Sequence, residues 1–274
     1  MADHEERPLP AESRGDAPGR GRLVGRRVLV VGGGQRTVDA ATDSVGNGRA
    51  MSMLFAREGA EVAVADRSLD AARATADLIG EKAFPIEADI ARPEDVTRMV
   101  DEAITRFGGL DALVLNVGVG VGALGLEGAT ADDWDQTLAI NLRGPMLCCR
   151  AALPVMSDNG AIVFISSIAG LKPGSRLPAY DASKSALHGL MRHVAMEGAR
   201  RGVRANVVCP GLMDTPLGRA ATQGRPSRGR TPTPLGRQGT GWETAYAALF
   251  LISDESAYVD GQVLAVDGGL TGIG

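Results

Sequence analysis

Short apolar runs that alternate with helix-like segments most narrow what this chain can fold into. Val28–Val31, Val62–Ala65, Ala83–Ile86, Leu113–Leu115, Ile162–Ile165, Val203–Val208 and Val263–Val266 are short and mostly continuous, and most are rich in Val and Ile. Such runs predict strands buried on both faces. Between them Met51–Glu58, Leu69–Ile79, Glu94–Phe107, Trp134–Met156, Ala182–Arg200 and Glu243–Ile252 predict helices, with Pro145 and Pro154 as local interruptions. Strand–helix alternation of this kind predicts an α/β protein with a doubly wound parallel sheet. Residues 210–241 read as loop-rich, and no internal repeat is present.

At 274 residues the chain fits a single domain, and its 44% apolar content is enough for a large core. Residues 1–22 are polar, mix both charge signs with Pro and Gly, and lack the apolar stretch of a signal peptide; they read as a disordered tail ahead of a domain spanning 23–274. The net charge of −4 argues against a general nucleic-acid binder. No apolar run is long enough to span a membrane. Cys148, Cys149 and Cys209, with His4, His188 and His193, match no metal or disulfide spacing, which points to a metal-free, reduced, cytoplasmic protein.

In doubly wound sheets a dinucleotide lies where strands end and the first helix begins. Gly32, Gly33 and Gly34 follow the first strand, and Gly46, Asn47 and Gly48 open the helix, where glycines and a helix N-terminus suit a diphosphate. Gly clusters also mark plain turns. Asp66 closes the second strand; a carboxylate there binds the adenosine ribose hydroxyls and repels a 2′-phosphate, favouring NAD over NADP. Arg67 softens that preference, and a helix-capping role for Asp66 or Ser68 is the competing reading. Asp89-Ile90 is placed to bracket the adenine, and Asn116-Val117-Gly118 to pass under the cofactor.

Tyr180 and Lys184 are four apart on a predicted helix and share a face; Ser167 lies thirteen residues upstream of Tyr180. A phenol with a pKa of about 10 is a poor base at neutral pH, and an adjacent ammonium lowers that value. The pair can therefore exchange a proton with an alcohol or a carbonyl. A surface helix whose Tyr and Lys merely touch is the bland alternative.

Together these residues resemble the short-chain dehydrogenase/reductase family in its common subtype, over about Gly25 to Thr271. Supporting pieces are Asn116-x-Gly118, Asn141 in Ile140-Asn141-Leu142, Pro210-Gly211 with Thr215, and Gly261-Gln262-Val263 leading to Val266-Asp267-Gly268-Gly269. The resemblance implies a single Rossmann-like domain, with Tyr180 as acid/base, Lys184 lowering its pKa and holding the nicotinamide ribose, Ser167 on the substrate oxygen, and Asn141 anchoring a water that links Lys184 to solvent. It implies NAD as cofactor, an alcohol or ketone substrate, a substrate lid around 212–241 and a homo-dimer or homo-tetramer. An NADPH-dependent 3-oxoacyl-thioester reductase, a non-catalytic cofactor-binding regulator and a sugar-nucleotide epimerase relative are the alternatives.

Two stretches depart from the family pattern. The glycine motif carries about nine extra residues between Gly33 and Gly46, a polar insert expected at the surface near the cofactor mouth, with Asn47 where the family has an apolar residue. Residues 215–242 contain Arg219, Arg225, Arg228, Arg230 and Arg237 and no acid. They suit an anionic substrate or a solvated loop. Leu171, Leu177, Leu212 and Met213 are candidates for an apolar pocket wall.

Overall fold

The computed structural model describes residues 8–35, 44–223 and 231–273. Among them the strands are β1 (Arg27–Val31), β2 (Glu61–Asp66), β3 (Ala83–Glu87), β4 (Ala112–Leu115), β5 (Ala161–Ile165), β6 (Arg204–Pro210), β7 (Met213–Asp214), β8 (Gly239–Thr240) and β9 (Val263–Val266). Seven of these form one sheet in the order β3-β2-β1-β4-β5-β6-β9, every neighbour parallel; β7 and β8 pair separately. The chain winds outward from β1 to β3, then crosses back to lay β4 against the other side of β1. That reversal opens a crevice beyond the carboxyl ends of β1 and β4, where such sheets bind ligands.

The helices are α1 (Ala11–Arg14), α2 (Asn47–Arg57), α3 (Leu69–Ile79), α4 (Pro93–Phe107), α5 (Ala131–Leu138), α6 (Gly144–Ala152), α7 (Pro178–Gly198), α8 (Pro216–Gln223) and α9 (Gly241–Ile252). Successive strand side chains point to opposite faces, so each strand feeds two layers. Leu29, Val31, Leu113, Ile162 and Phe164 pack with Met99 of α4, Cys148 of α6 and Leu187 and Met191 of α7. Val28, Val30, Val62, Val64 and Val163 pack with Met51, Leu54 and Phe55 of α2, Ala72 of α3 and Leu249 of α9. β4, β5 and β6 are buried throughout, which is why they read as near-continuous apolar runs. The expected doubly wound α/β fold is the fold observed.

Local chemistry sets the element ends. Ser68 accepts a hydrogen bond from the Ala71 N–H to cap α3, and Thr240 and Glu243 form a reciprocal capping box on α9. The expected helix Trp134–Met156 is divided into α5, a π turn over Ala139–Arg143 closed by the Gly144 N–H on the Ala139 carbonyl, α6, and a 3₁₀ turn over Leu153–Val155. Pro145 and Pro154 bring no N–H to the helical ladder, so it is re-registered around them. Trp134 of α5, Met146 of α6 and Met196 of α7 are exposed. No helix among the described residues is long and apolar enough to cross a membrane.

The expectation of a disordered tail over residues 1–22 is corrected for residues 8–22. This segment runs over α2 and the start of α9, with Ala17 buried and Leu23, the next residue after it, in the core. The fully buried Glu58 carboxylate accepts from the Arg20 and Arg22 N–H groups and from the Arg22 guanidinium at 2.8 Å. Ser13 donates to Glu243, Thr240 donates to the Ser13 carbonyl, and Arg57 lies over the Trp242 ring while donating to the carbonyls of Gly15 and Ala17. Composition misled because these contacts are polar and long-range, invisible to a window that weighs apolar content. Residues 1–7 lie outside the described residues.

Burial pushes the Glu58 carboxyl upward, but the Arg22 guanidinium and the two backbone N–H groups outweigh it and hold the group below its ordinary 4.5. A depressed carboxyl stabilises the fold above the ordinary carboxylate range and loses that contribution as pH falls through the folded value. Glu58→Ala is expected to cost about 3 kcal/mol of unfolding free energy at neutral pH, as for a buried ion pair stripped of one partner. Urea titration measures it, and limited trypsinolysis should then cut at Arg20 and Arg22. A variant as stable and as resistant as the parent would contradict the anchoring role.

Candidate active site

At the switch point the glycine-rich turn after β1 meets the N-terminus of α2. A Cβ on Gly48 would collide with the Gly32 carbonyl, and the Asn116 side chain donates to that same carbonyl at 2.8 Å. Only glycine permits this approach of helix to turn. The first intrahelical bond of α2 runs from the Ala50 N–H to the Gly46 carbonyl, so the N–H groups of Asn47, Gly48 and Arg49 have no intrahelical acceptor. The Asn47 amide oxygen is buried there with no hydrogen-bond partner among the described residues. Donors without an intrahelical acceptor at a helix N-terminus, set beside a glycine cradle, fit a dinucleotide diphosphate.

Asp66 lies at the carboxyl end of β2 beside the same turn. It accepts from the Gly34 N–H and the Ser68 N–H, both at 3.2 Å. Ser68, not Asp66, caps α3. Arg67 is exposed. Asp89 is exposed and accepts from the Ala91 N–H, while Ile90 is buried and packs against Gly144. Gly33, Gly46, Asn47, Gly48, Asp66, Asn116 and Gly118 thus share one crevice edge. Pro210 and Gly211 sit at the end of β6, where Gly211 N–H donates to the Val266 carbonyl, and buried Thr215 accepts from the Gly218 N–H at the start of α8.

Tyr180 and Lys184 occupy the first turns of α7, which Pro178 starts with its fixed φ. The Lys184 ammonium lies 5.7 Å from the centroid of the Tyr180 ring. It is buried and donates to the carbonyls of Ile165, the last residue of β5, at 3.0 Å and of Val117, just past β4, at 3.4 Å. A Cβ on Gly118 would stand 2.9 Å from it. Ser167 follows β5, half-buried, accepting from the Ala169 N–H at 3.1 Å. The turn it opens is tied to α7 by the Ser185 hydroxyl, which donates to Gly170. Burial lowers the Lys184 pKa to about 8, with Cys209 opposing the shift. A buried cation beside a phenol on one side and main-chain carbonyls on the other can favour the phenolate and accept or return a proton.

Asn141 is placed in the π turn and fully buried. Its amide exchanges two hydrogen bonds with the Val119 backbone, both at 2.8 Å, and donates to Ser183 at 3.0 Å. Ser183 in turn donates to the Tyr180 carbonyl. Sequence reasoning had not singled out Ser183. It had also weighed His188 only as a metal ligand. Here Ser166 donates to the Lys184 carbonyl at 2.8 Å and meets His188 Nε2 at 3.3 Å, with Cys209 Sγ 3.5 Å from that nitrogen. The signal was present, since His188 continues the four-residue spacing of Tyr180 and Lys184 on α7.

In the lid region β7, α8 and β8 replace part of the expected loop. Arg219 is paired with Asp214 and Arg237 with Glu243, the acids that flank the acid-free stretch. Arg225, Arg228 and Arg230 lie outside the described residues. Met213 is buried under Gly239 rather than lining an open wall, whereas Leu171 is exposed. Of the insert, residues 36–43 lie outside the described residues.

A family model described as enoyl-(acyl carrier protein) reductase matches residues 40–271. The chain is 36% identical to a glucose 1-dehydrogenase of Gluconobacter oxydans, over 93% of this chain and 95% of that one. It is 35% identical to a 3-oxoacyl-(acyl-carrier-protein) reductase of Thermotoga maritima, over 91% and 99%. A crystal structure of a short-chain dehydrogenase/reductase from Burkholderia xenovorans superposes with a TM-score of 0.83 at 37% identity, covering 92% of this chain and 98% of its own. This chain belongs to the short-chain dehydrogenase/reductase family. As such it is an oxidoreductase that acts on small molecules with a nicotinamide cofactor, NAD(H) or NADP(H).

The buried ammonium generates a stability prediction. With the folded value at about 8 and the ordinary value 10.5, the folded protein sheds this proton first. Stability of the unliganded protein therefore rises with pH between those values and carries the full burial penalty below them. Lys184→Met should melt no lower than the parent at pH 7, and the parent should gain on it toward about pH 10. Thermal melts at the two pH values check this. A variant melting well below the parent at pH 7 would mean that the two carbonyl contacts outweigh the burial cost.

Proposed function

We propose that the protein is an NAD(H)-dependent oxidoreductase interconverting a secondary alcohol and a ketone, with Tyr180 as the acid/base. The observation that carries this reading is the buried Lys184 ammonium beside the Tyr180 ring. The cofactor, when bound, supplies or accepts the hydride. Asn47 and Gly48 would hold its diphosphate in the turn shaped by Gly33 and Gly46, Asp66 its adenosine ribose, and Tyr180 and Lys184 its nicotinamide ribose.

In the reductive direction Tyr180 gives its phenolic proton to the substrate oxygen while Ser167 holds that oxygen by a hydrogen bond. In the oxidative direction Tyr180 takes the proton back. Lys184 supports the phenolate that lies between these states. A water link from Lys184 to solvent would rest on the Asn141 main chain, because the Asn141 amide is spent on Val119 and Ser183. In a regular helix that carbonyl would face the N–H of residue 145, which is proline and has none.

Asp66 supports NAD over NADP, since its carboxylate stands at the end of β2; the exposed Arg67 beside it softens that preference. The 3-oxoacyl-(acyl-carrier-protein) reductase relatives keep an acyl-thioester substrate as the second reading. An absorbance screen of secondary alcohols, ketones and 3-oxoacyl thioesters with both cofactors separates the two.

Tyr180→Phe is expected to lower turnover at least about a hundredfold, the ordinary worth of a positioned acid/base, while fluorescence titration shows NADH still binding. Retained turnover would remove Tyr180 from the chemistry. Asp66→Ala should shift the ratio of kcat/KM for the two cofactors toward NADP. An unchanged ratio would assign cofactor choice to another residue.

A further inference from the structure

The insertion separates two parts of the cofactor turn that the fold needs side by side. On the outgoing side Gly34 is held by Asp66. On the return side Val45 and Gly46 press against the start of α9, where a Cβ on Gly241 would collide with the Val45 carbonyl. Gln35 joins the two sides. Its Oε1 accepts the Gly46 N–H at 2.7 Å, and its Nε2 donates to the Ser44 carbonyl at 3.4 Å. Both bonds reach across the whole insertion to the residues that return from it. The side chain closes the turn at its neck, whatever path residues 36–43 take.

We propose that Gln35 is a clasp that restores the diphosphate-binding turn across the insertion, a positioning residue for the nicotinamide dinucleotide. The proposal rests on the reading of this turn as the dinucleotide site. By occupying the Gly46 N–H, Gln35 leaves the Asn47, Gly48 and Arg49 N–H groups as the donors that face the anion. It also fixes the approach of Gly48 to the Gly32 carbonyl. Gln35 acts through backbone geometry and makes no bond to the cofactor. Its importance exists only because the turn is interrupted.

The test uses the full chain and Gln35→Met, which keeps the side chain's length and removes both hydrogen bonds. Hydrogen exchange of the unliganded protein, read at Gly46, should show a protected amide that exchanges about tenfold faster in the variant. Fluorescence titration should show NADH binding about tenfold weaker, a change of about 1.4 kcal/mol, with the melting temperature little changed. In a second background lacking residues 36–44, where the chain itself closes the turn, Gln35→Met should change affinity less than about twofold. Unchanged exchange at Gly46 overturns the clasp, even if the shortened background fails to fold. Equal loss of affinity in both backgrounds overturns it in favour of a direct contact. A parent protein that protects Gly46 but binds neither NADH nor NADPH overturns the dinucleotide reading, and the positioning role with it.

Discussion

The site is organised around one buried positive charge. Lys184 brings an ammonium to the carboxyl ends of β4 and β5, where two main-chain carbonyls receive it and a glycine leaves it room. Burying an isolated cation is expensive, and the fold sets dipoles rather than a carboxylate against that cost, offsetting only part of it. A carboxylate would have fixed the charge and raised its pKa; carbonyls leave the pKa depressed to about 8. The supporting framework follows from this choice. Ser166, in contact with His188, holds the helix carbonyl of Lys184, and Ser183, held by Asn141, holds that of Tyr180, so α7 is locked onto the strand ends. A buried charge without a countercharge is tolerable only in a framework this rigid.

Much of this arrangement was legible in the sequence because it depends on short-range spacing. The strand runs appear as apolar stretches because their residues are buried on both faces. The Tyr180–Lys184 spacing appears because one helical turn sets it. Ser167 appears because it stands directly past a strand end. Long-range polar contacts were not legible. Nothing local to residues 8–22 announces that Glu58 will receive two of their N–H groups, or that Ser13 will meet Thr240 and Glu243. The pairing of Arg219 with Asp214 and Arg237 with Glu243 was missed for a related reason: charge was counted within residues 215–242, and the neutralising acids sit one position outside that window.

The insert shows how a fold can keep a motif whose spacing is lost. Loop-closure entropy grows only slowly with length, so extending a turn from about 3 to about 12 residues costs roughly 1.2 kcal/mol more. One or two net hydrogen bonds, each about 1 kcal/mol, are of the size needed to offset it. Gln35 provides two, at the neck, where closing the turn matters most. Thermodynamically the insertion is therefore inexpensive; what it threatens is the position of the glycines. That position is guarded from three directions: Asp66 on Gly34, Gln35 on Gly46, and α9 behind Val45. α9 is in turn held at its first turn by the segment from Ser13 to Ala17, through Thr240, Glu243, Trp242 and Arg57. The packed N-terminal segment and the interrupted glycine motif, unrelated as sequence features, thus meet at the same helix end. A longer turn leans harder on its backstop, and the contacts of residues 8–22 brace that backstop from outside.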